Sequence, residues 1–252
     1  MRFSIITVAR NNRDGLEKTI LSVLAQSSAD CEFIVIDGAS TDGSAGMLEK
    51  YRDRLSKCVI EPDSGVYNAM NKGVRLAEGE YCLFLNSGDT FASDDVLERA
   101  AGMLGADIVC GDAILQYGDG ELPWTAPDAV SQTFWLQRCS ICHQSAFIRT
   151  GLLREIPYDE SLRIVADYAF FFYQTAVAHR SYTHIPLTVC RYGCDGISSD
   201  PARSDAEKLE VIDEYRRRGY IPEDDLLSMC RSLKYGGRRY RVAKALLKLL
   251  VK

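Results

Sequence analysis

The feature that most constrains this chain is a rhythm in its first 110 residues: short apolar, β-branched segments alternate with amphipathic ones across brief connections. Strands are predicted at Phe3–Val8, Glu32–Ile36, Cys58–Ile60, Tyr81–Leu85 and Asp107–Cys110. Helices are predicted at Leu16–Ala25, Gly46–Leu55, Tyr67–Ala77 and Asp94–Leu104. The segment Tyr81–Leu85 is nearly all apolar, as a strand covered on both faces must be. This order implies an α/β fold, a mostly parallel Rossmann-like sheet flanked by helices. The second half is less regular. It holds a hairpin-type turn (YGDG) within Gln116–Leu122, a strand at Ser145–Ile148, a strongly apolar helix at Val165–Ala178, a strand at Leu187–Arg191 and helices to the end. With no repeat or linker visible, one domain is expected over residues 1–200, with a helical extension over 201–252.

In open α/β sheets, ligands sit beyond the carboxyl ends of the strands. The residues there are Ala9-Arg10-Asn11-Asn12 after the first strand and Asp37-Gly38-Ala39-Ser40-Thr41-Asp42-Gly43 after the second. Glu61-Pro62-Asp63-Ser64-Gly65 follows the third, and Asn86-Ser87-Gly88-Asp89 the fourth. Polar, acidic and Gly-rich loops thus collect along one rim. No GxGxxG follows the first strand and no Walker A sequence appears, which disfavours a dinucleotide fold and the simplest phosphoryl-transfer chemistry. An acidic rim repels a bare diphosphate unless a divalent cation lies between them, and Mg²⁺ is held by one or two carboxylates plus phosphate oxygens. Asp89 ends a buried strand behind two small residues and is the best candidate ligand. A cation there would stabilise charge building on a departing diphosphate.

Composition narrows the class further. A net charge of −5 over 252 residues, with 46% hydrophobic and 26% charged side chains, argues against a nucleic-acid binder. No apolar run approaches the ~18 residues of a membrane span, and no secretion signal precedes the first strand, so a cytoplasmic location is expected. The charge is uneven: Arg231–Lys252 carries eight Lys/Arg and no Asp/Glu. The nine cysteines are scattered and expected to be reduced. Cys139-Ser140-Ile141-Cys142-His143 fits the CxxCH haem pattern, and Cys139, Cys142, Cys190 and Cys194 make up a four-thiolate set of the kind that binds zinc. Covalent haem needs export, the CxxxC spacing of the second pair is less typical of zinc, and coincidence is the favoured reading.

Five motifs in order carry a family resemblance: TVARNN (7–12), SVLAQS (22–27), EFIVIDGASTDGS (32–44), EPDSGVYNAMNKG (61–73) and YCLFLNSGD (81–89). Over about residues 3–200 the chain resembles glycosyltransferase family 2, and within it the colanic-acid type of bacterial exopolysaccharide enzymes. The resemblance implies a GT-A fold and an inverting transfer from a nucleotide-sugar, expected to be UDP-linked, to the hydroxyl of a saccharide or lipid-linked acceptor. It implies nucleotide contacts at Thr7, Ala9, Arg10, Asp37 and Ser87. A carboxylate such as Asp37 also accepts the imide N–H of uracil, although Asp37 and Asp42 are equally turn residues, and Asp42 can cap the next helix.

The stretch Asn86–Asp89 stands where the family carries its DXD-type motif, with Asn86 in place of the first acid. Asp89 is therefore the expected ligand of Mn²⁺ or Mg²⁺, with Asn86 a neutral oxygen beside it. Lys72 is expected to face the sugar or phosphate, or else solvent. Asp167 opens an apolar helix where the family's catalytic base lies; the alternative is a first-turn acid favoured by the helix dipole. The neighbouring acid frequent in the family is here Ala166. His143 and Gln144 match an HQS segment and are expected on the acceptor side. Gly193–Ser198 resembles a flap over the donor phosphates.

From Tyr240 onward, Val242, Ala245, Leu246, Leu249 and Leu250 recur at helical spacing among cations. This helix is expected on the cytoplasmic face of an anionic inner membrane, on the enzyme body, or in a homodimer. Two other functions compete: a sugar-nucleotide pyrophosphorylase, whose phosphate loop ARNNRDG resembles poorly, and an inactive nucleotide-sugar-binding subunit.

Overall fold

The first strand, β1 (Phe3–Ala9), is buried along its whole length, because it lies inside a sheet covered on both faces. Its side chains alternate between two cores. Ile6 and Val8 join one, while Phe3, Ile5 and Ala9 join the other. The computed structural model describes residues 1–28, 30–194 and 200–222.

Parallel neighbours flank β1: β2 (Cys31–Asp37) on one side and β4 (Tyr81–Phe84) on the other, with β3 (Lys57–Ile60) outside β2. The chain steps outward from β1 to β3, then α3 (Val66–Leu76) returns it across the sheet to β4. The strand order therefore reverses between β1 and β4, and the carboxyl ends of these two strands part into a crevice. Gly73 allows α3 to lie close to the sheet, since a Cβ there would come within 2.4 Å of Ile6 Cγ2.

Beyond β4 the sheet becomes mixed. β8 (Ala146–Arg149) runs antiparallel to both β4 and β6 (Ile108–Tyr117). β9 (Tyr182–Gly193) lies parallel to β6, and the short β5 (Thr90–Phe91) and β7 (Gly120–Trp124) pair antiparallel with β9 and β6. Both β6 and β9 outrun their predicted lengths. The ladder between them shifts register around Cys110 and Asp112, opposite the stretch holding Pro186, which has no N–H to give it.

One layer of helices contains α1 (Arg13–Leu24), α2 (Ser44–Glu49) and α4 (Val96–Ala101) over Phe3, Ile5 and their neighbours. The other contains α3, α6 (Thr150–Glu155), α7 (Ala166–Phe172) and α8 (Pro201–Arg217). The helix predicted at Gly46–Leu55 stops at Glu49 and gives way to a 3-10 turn at Arg52–Arg54. That at Val165–Ala178 loosens after Phe172 into a π-type turn over Tyr173–Val177. Asp200 caps α8 through Ala202 and Arg203, Pro201 fits its first turn, and Tyr215 packs its ring against Phe172. The short α5 (Gln132–Leu136) buries Trp135, whose indole N–H donates to Thr175 Oγ1 at 2.8 Å. No helix among the described residues is long and apolar enough to cross a membrane. The basic stretch Arg231–Lys252 lies outside the described residues.

An ionic clasp fastens the turn before α5 to the sheet. His184 of β9 sits between Asp112 (Nε2 to Oδ1, 2.9 Å) and Asp128 (Nδ1 to Oδ1, 2.9 Å). Facing two carboxylates, both ring nitrogens act as donors, so the imidazolium is the form that fits. Burial opposes that charge, but the two carboxylates outweigh it and raise the pKa above the usual histidine value. A raised histidine pKa stabilises the fold fully below the unfolded value and loses that contribution as pH climbs through the folded one. Thermal unfolding should therefore show His184→Gln lowering Tm by about 2–4 °C near pH 6. The difference from wild type should close as pH is raised.

Candidate active site

The crevice between β1 and β4 opens into a cleft of about 800 Å³. Arg10 and Asn12 line it after β1, and Asn86, Ser87 and Asp89 after β4. His143 and Gln144 enter from a 3-10 turn before β8, Asp167 and Tyr168 from α7, and Ser204 and Lys208 from α8. The aromatic wall of Tyr117, Trp124 and Tyr192 comes from β6, β7 and β9.

The loops leaving β1 and β4 are tied together. Thr7 Oγ1 donates to the Leu85 carbonyl at 2.7 Å, Ser87 N to the Val8 carbonyl at 3.1 Å, and Asn12 Nδ2 to the Ser87 carbonyl at 3.0 Å. Asn12 Oδ1 also caps α1 by accepting from Gly15 N. Gly88, at a φ of 105° that favours glycine, donates its N–H toward Thr19 Oγ1 at 2.9 Å. Thr19 Oγ1 in turn donates to the Asp89 carbonyl at 2.8 Å. Asn12 entered the sequence reading only as part of the rim loop and Thr19 escaped it, because their work is to hold other loops, and no single-residue signal announces that.

Asp89 is 5% exposed, and its Oδ1 accepts from Gly193 N at 3.1 Å. Burial drives its pKa up to about 6, against the pull of the Gly193 N–H, His143, Gln144 and Lys18. Nearby, the buried Asn86 Oδ1 has no hydrogen-bond partner. A carboxylate short of compensating charge and an unpaired amide oxygen, on one tight turn, suit a hard cation. Among the described residues no three His, Cys, Asp or Glu side chains converge into a metal cluster. The protein would thus supply few ligands, leaving the remainder to substrate phosphates and water.

Asp167 lies deeper. His143 Nδ1 is 2.9 Å from its Oδ2, and the Tyr67 hydroxyl lies 3.0 Å from its Oδ1 and 2.6 Å from the Ile164 carbonyl, sharing its one proton between these acceptors. Burial alone would raise its pKa, but His143 and Tyr67 more than offset that and hold it below the usual aspartate value. Burial depresses the His143 pKa, while Asp167 and its hydrogen bond raise it by more. Asp167 is therefore an ionised carboxylate in a largely dry wall, its charge held by two donors. Tyr67, absent from the sequence reading, reaches it across 100 positions of chain from α3.

The other expected residues are placed differently. Asp37 is buried, and both of its oxygens accept from Ser40, Oδ1 from the backbone and Oδ2 from the hydroxyl, each at 2.7 Å. Asp42 accepts from Ser44 and from Arg13 N, which ties the starts of α1 and α2 together. Arg10 reaches toward Asp63 at 3.7 Å. Thr7 and Ala9 are buried at the end of β1 and do not line the cleft. Nor does Lys72, which is held by Glu61 and the Pro62 carbonyl, both at 2.7 Å. Gln144 lines the cleft and interacts with Asp89. Of the cysteines, Cys142 contacts the buried Cys190, while Cys139 is exposed. The flap proposed for Gly193–Ser198 lies outside the described residues beyond Cys194.

Asp89 has a thermodynamic consequence. A carboxyl pKa raised from 3.8 to about 6 lowers stability as pH rises through that interval, because the folded state must ionise a buried group. At ~1.4 kcal/mol per pKa unit the cost above pH 6 is on the order of 3 kcal/mol. Asp89→Asn should therefore raise the cation-free Tm at pH 7.5. At pH 4 it should change little, as differential scanning calorimetry at the two pH values would show.

Comparison with known proteins agrees with this geometry. Residues 4–172 match the glycosyl transferase family 2 model. A Mycobacterium tuberculosis PGL/p-HBAD biosynthesis glycosyltransferase is 34% identical over 176 residues, covering 67% of this chain and 67% of the relative. S. aureus TarS in complex with UDP-GlcNAc superposes with a TM-score of 0.69 at 19% identity, over 99% of this chain and 72% of that one. The mannosyltransferase PcManGT from Pyrobaculum calidifontis, in complex with GDP-Man and Mn²⁺, gives 0.60 at 16% identity, over 100% and 86%. A sheet that reverses order beside an acid-bearing cleft, together with these matches, places the chain in glycosyltransferase family 2 as a glycosyltransferase of GT-A fold.

Proposed function

We propose that this enzyme inverts configuration as it moves a sugar from a UDP-linked donor to the hydroxyl of a saccharide or lipid-linked acceptor in cell-surface polysaccharide synthesis. The observation that carries the reading is the single cleft with two differently prepared carboxylates: Asp167, held ionised by His143 and Tyr67, and Asp89, raised by burial beside Asn86. Such a split between neighbouring acids is how one site assigns opposite roles to like groups. The relatives support the donor class, since TarS is complexed with UDP-GlcNAc and the Pyrobaculum enzyme with GDP-Man and Mn²⁺.

In this reading the donor diphosphate lies along Arg10, Asn12 and Ser87. Asp89 and Asn86 would hold Mn²⁺ or Mg²⁺, whose chemistry there is to neutralise charge on the departing diphosphate. The acceptor hydroxyl approaches from the side of Tyr168 and Trp124. Asp167 removes its proton as the oxygen attacks the anomeric carbon on the face opposite the leaving group. The C–O bond to the diphosphate breaks in the same displacement, and the proton rests on Asp167 until solvent takes it.

Asp167→Asn should lower kcat by about 10²- to 10⁴-fold while UDP-sugar binding, measured by titration calorimetry, stays close to wild type. Activity near wild type in that variant would overturn the assignment of the base. The same reading sets the basic stretch at the C-terminus on an anionic membrane surface. Sedimentation with vesicles containing anionic lipid should recover the enzyme, and Lys244→Glu with Lys248→Glu should leave it in the supernatant.

A further inference from the structure

We propose that His143 is a positioning residue for two groups at once, fixing the Asp167 carboxylate with one ring nitrogen and the Asn86 carboxamide with the other. This deepens the functional reading above and rests on it.

An imidazole can orient two partners only if each nitrogen has a defined role. Nδ1 lies 2.9 Å from Asp167 Oδ2 and Nε2 lies 3.4 Å from Asn86 Nδ2. With the ring neutral, the Asn86 amide nitrogen can only donate, so Nε2 is the acceptor and the single ring proton sits on Nδ1, donated to Asp167. The ring itself is held on the 3-10 turn His143–Ser145, where Ser145 Oγ donates to the Cys142 carbonyl at 3.0 Å. Phe84 meets the ring edge-on, with centroids 6.4 Å apart.

The consequence falls on the other end of the Asn86 amide. With Nδ2 turned toward the ring, Oδ1 is buried and unpaired. A buried polar atom left without a partner costs about 1–3 kcal/mol, and a free amide would rotate to relieve it. His143 prevents that rotation and keeps an oxygen where a hard cation beside Asp89 would take it up. A carboxylate at position 86 needs no such help, having an oxygen at either end, whereas an amide has one right orientation. The same ring thus links the cation-side turn after β4 to the base on α7, two elements that touch the reaction from opposite sides.

The test separates binding from turnover. His143→Phe keeps the aromatic packing against Phe84 and removes both nitrogens. Titration calorimetry of Mn²⁺ into UDP-saturated protein should show Kd weakened about 10-fold or more, and kcat should fall by at least as much. In the double variant, Asn86→Asp should restore Mn²⁺ affinity to within threefold of wild type while kcat stays low, because Asp167 still lacks the histidine that fixes its Oδ2. A purely structural role for His143 would give no such split. If Phe does not fit, His143→Ala assayed with and without added imidazole reads the same two quantities, and imidazole should recover both. An unchanged Mn²⁺ affinity in the His143 variants, or a double variant that regains kcat together with affinity, would overturn the proposal. Wild-type protein that binds neither UDP nor Mn²⁺ would instead overturn the functional reading itself.

Discussion

The pairing of β1 with β4 is the contact on which the site depends. These strands are adjacent in the sheet yet separated in sequence by two complete strand–helix units, so the loops leaving them diverge. The divergence exposes backbone groups that must find partners, and the side chains of Thr7, Asn12 and Thr19 take that part. Because the hydrogen bonds run between loops, the Arg10–Asn12 and Asn86–Asp89 segments form one surface. A substrate spanning the crevice meets groups already in place, and ordering them costs little on binding.

Charge is handled unequally on the two sides of that surface. Asp167 is half-buried with two donors pointed at it, so it remains ionised at little cost and can accept a proton when one is offered. Asp89 is buried with a backbone N–H and Gln144, and these do not repay its desolvation. The first arrangement suits a group that must be charged before the reaction. The second suits one awaiting a positive charge from outside the chain. Both depend on exclusion of water, and the aromatic side chains of β6, β7 and β9 supply that wall.

The legible part of the fold is the part encoded by local repetition. Phe3–Ala9, Cys31–Asp37 and Tyr81–Phe84 are apolar on successive residues because both faces are covered, and that pattern survives reading in one dimension. Helices α2 and α7 read longer than they are, since their apolar spacing continues past the points where helical hydrogen bonding changes at Glu49 and Phe172. The β6–β9 ladder was seen only in fragments: Pro186 and the register shift interrupt the alternation, and a parallel partner more than 70 residues away repairs it. Likewise, the two-residue strand β5 has no pattern to read, and exists because Arg191 and Cys190 lie opposite it.

For the site, sequence alone determined which loops would gather at the rim and that Asp89 and Asp167 were the acids to weigh, because chain order and strand ends are one-dimensional facts. Only the tertiary structure decided what each residue does with its hydrogen bonds. It set Asp37 against Ser40, turned Lys72 to Glu61, and brought Tyr67 and His143 to Asp167. These outcomes depend on which side chains are brought within 3 Å across gaps of up to 100 residues. No local pattern carries that information. The opening stretch of acids and glycines after each strand announces a binding rim, and the meeting of Tyr67 from α3 and His143 with Asp167 of α7 decides which acid in it stays charged.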